Sequence, residues 1–234
     1  MTVSCYLAMT AAEIRCASQL PEKLAYMACH FSPYGTGLSN MPNSLPSNAI
    51  LILNDRTPIC GHDPNLIAQQ LSQIVTDQAC EAVLLDFQRP GNPETAALSA
   101  VIVSKLPCPV GVSELYASDL PCPVFLSPVP LNQPLSAYLS PWSGREIWLE
   151  GALDAMAITV TREGSHSSEI PYTSPPENSH TDPSLLCRYS IRSSPDNILF
   201  TLYRSKDQLE KLISQAENLG VNKIIGLYQQ LGNI

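Results

Sequence analysis

Residues 49–106 read AILILNDRTPICGHDPNLIAQQLSQIVTDQACEAVLLDFQRPGNPETAALSAVIVSKL, and this stretch decides the fold. AILILN, 49–54, is a continuous apolar run, which suits a strand buried on both faces. Asp63 and Pro64 then open a helix, because a carboxylate cap accepts a free amide hydrogen and proline tolerates the first turn. LIAQQLSQIVTDQA follows, with Leu66, Leu71 and Ile74 near one face. AVLLDF, 82–87, is the next strand; Asn92 and Pro93 repeat the cap, and ETAALSAVIVSKL, 94–106, is a second helix. Strand, capped helix, strand, capped helix implies a parallel sheet.

The pattern continues in both directions. LPCPV occurs at 106–110 and again at 120–124, each time leading into a strand, VGVSEL and VFLSPV. The link between these strands is shorter than the dozen or so residues of an ordinary parallel crossover, so its helix is cut to one turn or lost. REIWLE, 145–150, is a further strand, as is SCYLA, 4–8. The stretch 10–28 reads as a helix broken by Pro21, and 30–47 as a loop. AITVT and SSEIPY flank a turn at Gly164 and predict an antiparallel hairpin over 156–172, which LCRYSI extends by a third strand. Residues 173–184 read as a polar, proline-rich loop. ILFTLY, 198–203, is read as a barrel strand; Ser205 and Gln208 are read as a capping box before an amphipathic helix that Gly220 ends, and KIIGLY, 223–228, closes the series.

Eight strands with parallel-type connections predict an α/β fold, a (β/α)8 TIM-barrel-like ring with shortened or missing helices and a small antiparallel β insertion. Residues 1–234 are read as a single barrel domain, with the insertion around 156–191. An open doubly wound sheet is the structural alternative.

Composition narrows the function. With 44% hydrophobic and 15% charged residues, the chain is globular in character, not disordered. Thirteen Lys+Arg against 21 Asp+Glu give a net charge of -8, which argues against nucleic acid or an anionic membrane as partner. No apolar run approaches the ~18 residues of a membrane helix, and the first basic residue is Arg15, unlike the start of a secretory leader. Eight scattered cysteines fit reduced thiols and a cytoplasmic location. Cys29–His30 and Cys60–His62 lack the spacing of a metal site; no metal and no cofactor is expected.

In such a barrel the working residues sit at the C-terminal strand ends. Along EAVLLDFQRP, 81–90, side chains alternate, so Leu84, Asp86 and Gln88 share one face. Asp86 is either a site carboxylate or a tie for the loop that follows. Glu114 and Glu150 stand at two other strand ends as carboxylates able to act as acid, cap a loop or pair with an arginine. Tyr116, Trp148, Tyr203 and Tyr228 are candidates for a stacking floor under a sugar ring.

EAVLLDFQRP is similar to the strand signature of glycoside hydrolase family 18, the chitinase-like barrels, which runs Asp-Gly-x-Asp-(Ile/Leu)-Asp-(Trp/Phe)-Glu-x-Pro. Glu81 falls at the first Asp, Leu84 at the middle Asp, Asp86 at the last Asp, Phe87 at the aromatic, Gln88 at the catalytic Glu and Pro90 at the Pro. The resemblance implies substrate-assisted hydrolysis, in which the Glu protonates the leaving oxygen and the neighbouring Asp orients the acetamido group. An amide at Gln88 cannot donate that proton, which removes a contribution of about 100- to 10,000-fold in rate. The expectation is therefore a degenerate barrel, a pseudoenzyme that binds a carbohydrate or another small-molecule ligand at Asp86 and Gln88 with little or no hydrolysis. Two alternatives stand beside it: an active hydrolase using Glu114 or Glu150 as acid, and a non-catalytic interaction protein whose inserted strands form the partner surface.

Overall fold

A computed structural model describes residues 3–232. The two helix caps form as their chemistry requires. The Asp63 carboxylate accepts the Asn65 N–H at 2.9 Å and the Asn92 side-chain carbonyl accepts the Glu94 N–H at 3.0 Å, with Pro64 and Pro93 in the first turns. The helices that follow, Pro64–Asp77 and Pro93–Lys105, return the chain so that strand Ile50–Asn54 pairs in parallel with Ala82–Asp86, and that strand with Val110–Ser113. The buried stripe of the first helix is Ile67, Ala68, Leu71 and Val75, shifted from the expected Leu66 and Ile74, which are only half-buried.

Eight parallel strands close into a ring: Ser4–Met9, Leu24–Phe31, Ile50–Asn54, Ala82–Asp86, Val110–Ser113, Val124–Leu126, Ile147–Gly151 and Val221–Leu227. Closure is made by the first strand, which pairs in parallel with both the second and the eighth. The flat-sheet alternative is thereby excluded. Between the fifth and sixth strands the helix is one turn, Glu114–Ala117, and between the sixth and seventh it is Leu135–Leu139, as the short links require.

Two elements differ from the sequence reading. Leu24–Phe31, taken as the second half of a broken helix, is the second barrel strand, while ILFTLY belongs to the inserted sheet and not to the ring. The insertion is also larger than 156–191. It is a five-stranded antiparallel sheet, ordered Gly164–Ile170, Ala155–Thr161, Asn197–Tyr203, Cys187–Ser193, His180–Asp182, placed in the chain between the seventh and eighth barrel strands. After it, Ser205 caps helix Lys206–Asn218 without a side-chain bond to the backbone; its hydroxyl donates to the Asp207 carboxylate, so the expected capping box with Gln208 does not form.

Side-chain alternation divides the apolar residues into two cores. Tyr6, Ala25, Ile50, Ile52, Leu84, Phe125, Trp148 and Ile225 fill the ring, whereas Leu51, Leu53, Val83, Leu85 and Val112 face outward against Ile67, Leu71, Leu98 and Ile102 of the helices. Burial of side chains of this size contributes roughly 1.5–3 kcal/mol each. Trp148 is the largest buried group, and it fits because Gly111 presents no Cβ, which would otherwise overlap the indole. At the N-terminal end of the ring, Glu81 accepts from Tyr6 Oη at 2.7 Å, pairs with Lys223 and lies 3.6 Å from Lys23 Nζ. Trp148 Nε1 donates to Glu146 at that same end, at 2.9 Å.

Candidate functional site

Asp86 closes the fourth strand and Glu150 lies near the end of the seventh, each two residues beyond an interior side chain, Leu84 and Trp148. Alternation therefore aims both carboxylates into the mouth of the ring. They line one cavity of about 80 Å³, floored by Ile52, Leu84, Phe125 and Ile225. That volume holds a few waters and not a sugar ring, since ligand pockets typically run ~300–1,000 Å³. Asp86 accepts the Gln88 amide at 2.5 Å; Gln88 itself is exposed beside the cavity and does not line it.

The backbone of the loop after the fourth strand is tied by a different residue. Asp55, just past the third strand, is 6% exposed and accepts the N–H groups of Gln88 at 3.2 Å and Arg89 at 2.9 Å. Asp86 is left to face the cavity. Burial pushes its carboxyl above the usual range, the Gln88 hydrogen bond holds it down and the Asp55 charge adds to the rise. Glu150 is displaced further, to about 7, by burial first and then by the charges of Asp86 and Asp154. Burial among like charges is the physical cause of both rises, and it acts on two carboxyls that line one cavity.

Beside the mouth lies a groove of about 660 Å³. One wall comes from the barrel: Glu114 after the fifth strand, Ser127–Leu131 after the sixth and Leu153–Ala155 after the seventh. The other wall is the inserted sheet, through Met156, Glu169, Ile170 and Tyr172. Tyr138, from helix Leu135–Leu139, stands in the groove with its hydroxyl donating to the Ser127 carbonyl at 3.1 Å. Burial raises its phenol, and the charges of Glu114 and Glu150 raise it further.

Arg204 fixes the walls relative to each other. Its side chain, 1% exposed, donates from Nη1 to the Val129 carbonyl at 2.6 Å; its N–H donates to the Asp154 carbonyl at 2.8 Å, and Nη1 lies 3.9 Å from the Asp154 carboxylate. One residue at the exit of the inserted sheet thus reaches the loops after two barrel strands. Asp154 is raised by burial, lowered by Arg204 and raised again by Glu169.

The structure brings together three of the expected residues, Asp86 and Glu150 in the mouth and Glu114 in the adjoining groove, with Gln88 at the rim. The aromatic candidates lie elsewhere. Trp148 is fully buried inside the ring and cannot present a face to a ligand; Tyr203 is 7% exposed in the inserted sheet; Tyr228 begins the short helix Tyr228–Leu231 outside both cavities. Tyr116 packs edge-on to Phe87, and its hydroxyl donates to the Arg89 carbonyl. The aromatic residues that do line the groove, Tyr138 and Tyr172, are absent from the sequence reading. Tyr138 carries a usable signal, since it falls between the end of one barrel strand and the start of the next, where side chains surround the mouth. His62 packs edge-on to Phe31 at 5.0 Å and Cys29 is buried, both parts of the fold.

No family model and no curated protein matches this chain by sequence. Solved structures match it by fold. The spore cortex-lytic enzyme SleL of Bacillus megaterium QM B1551 superposes with a TM-score of 0.57 at 9% identity, covering 96% of this chain and 70% of its own. A chitinase from Chromobacterium violaceum ATCC 12472 gives 0.57 at 8% identity over 98% of this chain and 95% of its own. A GH18 chitinase from Cycas revoluta, a doubly substituted mutant in complex with (GlcNAc)4, gives 0.54 at 9% identity over 96% and 94%. The fold of this chain is the barrel of the GH18 chitinases and of SleL-like glycosylases.

Proposed function

We propose that the chain is a carbohydrate-binding, glycoside-hydrolase-like barrel, read as one unit over residues 1–234, that holds a sugar chain in the groove between barrel and inserted sheet with little or no hydrolysis by the family-18 route. The observation that carries this reading is the groove of about 660 Å³ at the C-terminal strand ends, with tyrosine rings, apolar side chains and hydrogen-bonding carboxylates along its walls. Sugars use that combination: their ring faces pack on apolar and aromatic groups while their hydroxyls need acceptors. Gln88 supports the loss of turnover, because an amide stands where the resembling family has its proton donor and is spent on Asp86. The Cycas revoluta neighbour, which carries a Glu→Gln substitution, is in complex with (GlcNAc)4. All eight cysteines are unpaired, which supports a reducing, cytoplasmic setting.

The test is a thermal-shift panel of chitin and peptidoglycan fragments. Stabilisation by one of these classes is the expected result; no shift with any glycan would favour the interaction-protein alternative. A second reading, active hydrolysis with Glu150 as the general acid, is favoured by one observation, its carboxyl raised to about 7. Release of chromophore from aryl glycosides, abolished by Glu150→Gln, would establish it. Under the preferred reading the parent protein releases none, and Gln88→Glu gains measurable hydrolysis.

A further inference from the structure

Charge in the groove is one-sided. Glu114, Asp154 and Glu169 line it from three different segments, the barrel's fifth- and seventh-strand loops and the edge strand Gly164–Ile170. Among the described residues, no lysine or arginine lines it. The cation behind its wall, Arg204, is buried against Asp154 and turned to the Val129 carbonyl. A neutral N-acetylated sugar would desolvate these carboxylates and return only hydroxyl and amide hydrogen bonds. An ammonium group would return charge-assisted bonds, which are roughly twice as strong. We propose that the ligand of this groove is an amino sugar chain with free, protonated amines, that is, a de-N-acetylated glucosamine oligomer in preference to its N-acetylated counterpart. This inference rests on the carbohydrate-binding reading and specifies its substrate class.

Cavity and chemistry agree in placement. Tyr138 and Tyr172 line the groove with the aromatic surface an amino sugar's apolar side requires, while Glu114 and Glu169 come from opposite walls to meet amines on it. Glu169 is exposed on an edge strand, and Glu114 accepts the Ser127 N–H at 3.5 Å. Among the described residues, neither carboxylate is committed to an ion pair of the fold.

The experiment is calorimetric titration of the full chain with two tetrasaccharides of equal length, one fully N-acetylated and one fully de-N-acetylated, at slightly acidic pH in low and high salt. The de-N-acetylated tetramer should bind on the order of tenfold or more tighter, an advantage that added salt erodes. Glu114→Gln with Glu169→Gln, shown by melting to be folded, should bring the two affinities together. Equal or tighter binding of the N-acetylated tetramer would overturn the amino-sugar preference and leave the carbohydrate reading standing. Failure of both tetramers to bind would overturn the preference and the carbohydrate reading together.

Discussion

The two ends of the barrel use the same kind of side chain for opposite purposes. At the N-terminal end Glu81 meets Tyr6, Lys23 and Lys223; burial works to raise its carboxyl, but the Lys223 and Tyr6 hydrogen bonds and the lysine charges hold it below the usual range. At the C-terminal end Glu150 meets Asp86 and Asp154, and burial among like charges lifts it to about 7. A paired carboxylate stabilises the fold in the charged form, whereas a carboxyl crowded by like charges is held neutral at a cost in stability. Barrel enzymes generally separate stability from function in this way, with the working face at the C-terminal strand ends. In this ring the two glutamates differ in their electrostatic surroundings in the same sense.

Each way of breaking that contrast has its own size. Trp148→Ala, which empties the ring between the two ends, should cost about 3–5 kcal/mol in urea unfolding. Glu150→Gln should act in the other direction. Below the ordinary 4.5 both folded and unfolded chains carry the proton, so the variant and parent are alike there. Between 4.5 and about 7 the unfolded chain releases its proton while the fold retains it, so the parent loses stability as pH rises. Above pH 7 the variant should be the more stable by up to roughly 3 kcal/mol, less where solvent screens the mouth. Lys223→Met should destabilise by about 1–3 kcal/mol at neutral pH, with the gap closing as pH falls through the lowered pKa of Glu81, because protonated Glu81 no longer needs its partner. The smallest effect is expected at Asn92→Ala, about 1 kcal/mol from a lost helix cap, with no change in ligand binding. Chemical denaturation across a pH series reads all four.

Local chemistry made much of the ring legible. The Asp63–Pro64 and Asn92–Pro93 caps and the apolar runs between them were sufficient for the βαβα order, and alternation along 81–90 placed Leu84 and Asp86 on the interior side. Two exchanges cancelled in the strand count. Leu24–Phe31 is buried on both sides and follows a helix-like stretch, so it lacks the period of a strand. ILFTLY is as apolar as a barrel strand, but its neighbours in space are Ala155–Thr161 and Cys187–Ser193, and composition does not reveal whether a partner runs parallel or antiparallel. The groove was illegible for a related reason. Glu114, Tyr138, Asp154, Glu169 and Tyr172 are scattered along the chain, and only the docking of the inserted sheet, held by Arg204, brings them together. Trp148 illustrates the converse: at a strand position that alternation fills with interior side chains, a large aromatic is packing and not platform.

The contrast between the ends is tested most directly by the titration of its two glutamates, followed by carboxyl carbon NMR with Glu150→Gln and Glu81→Gln for assignment. Glu150 should titrate near 7 and Glu81 below the ordinary 4.5. Two glutamates titrating together in the ordinary range would contradict the difference between a base whose carboxylate is paired and a mouth whose carboxyl is crowded by like charges.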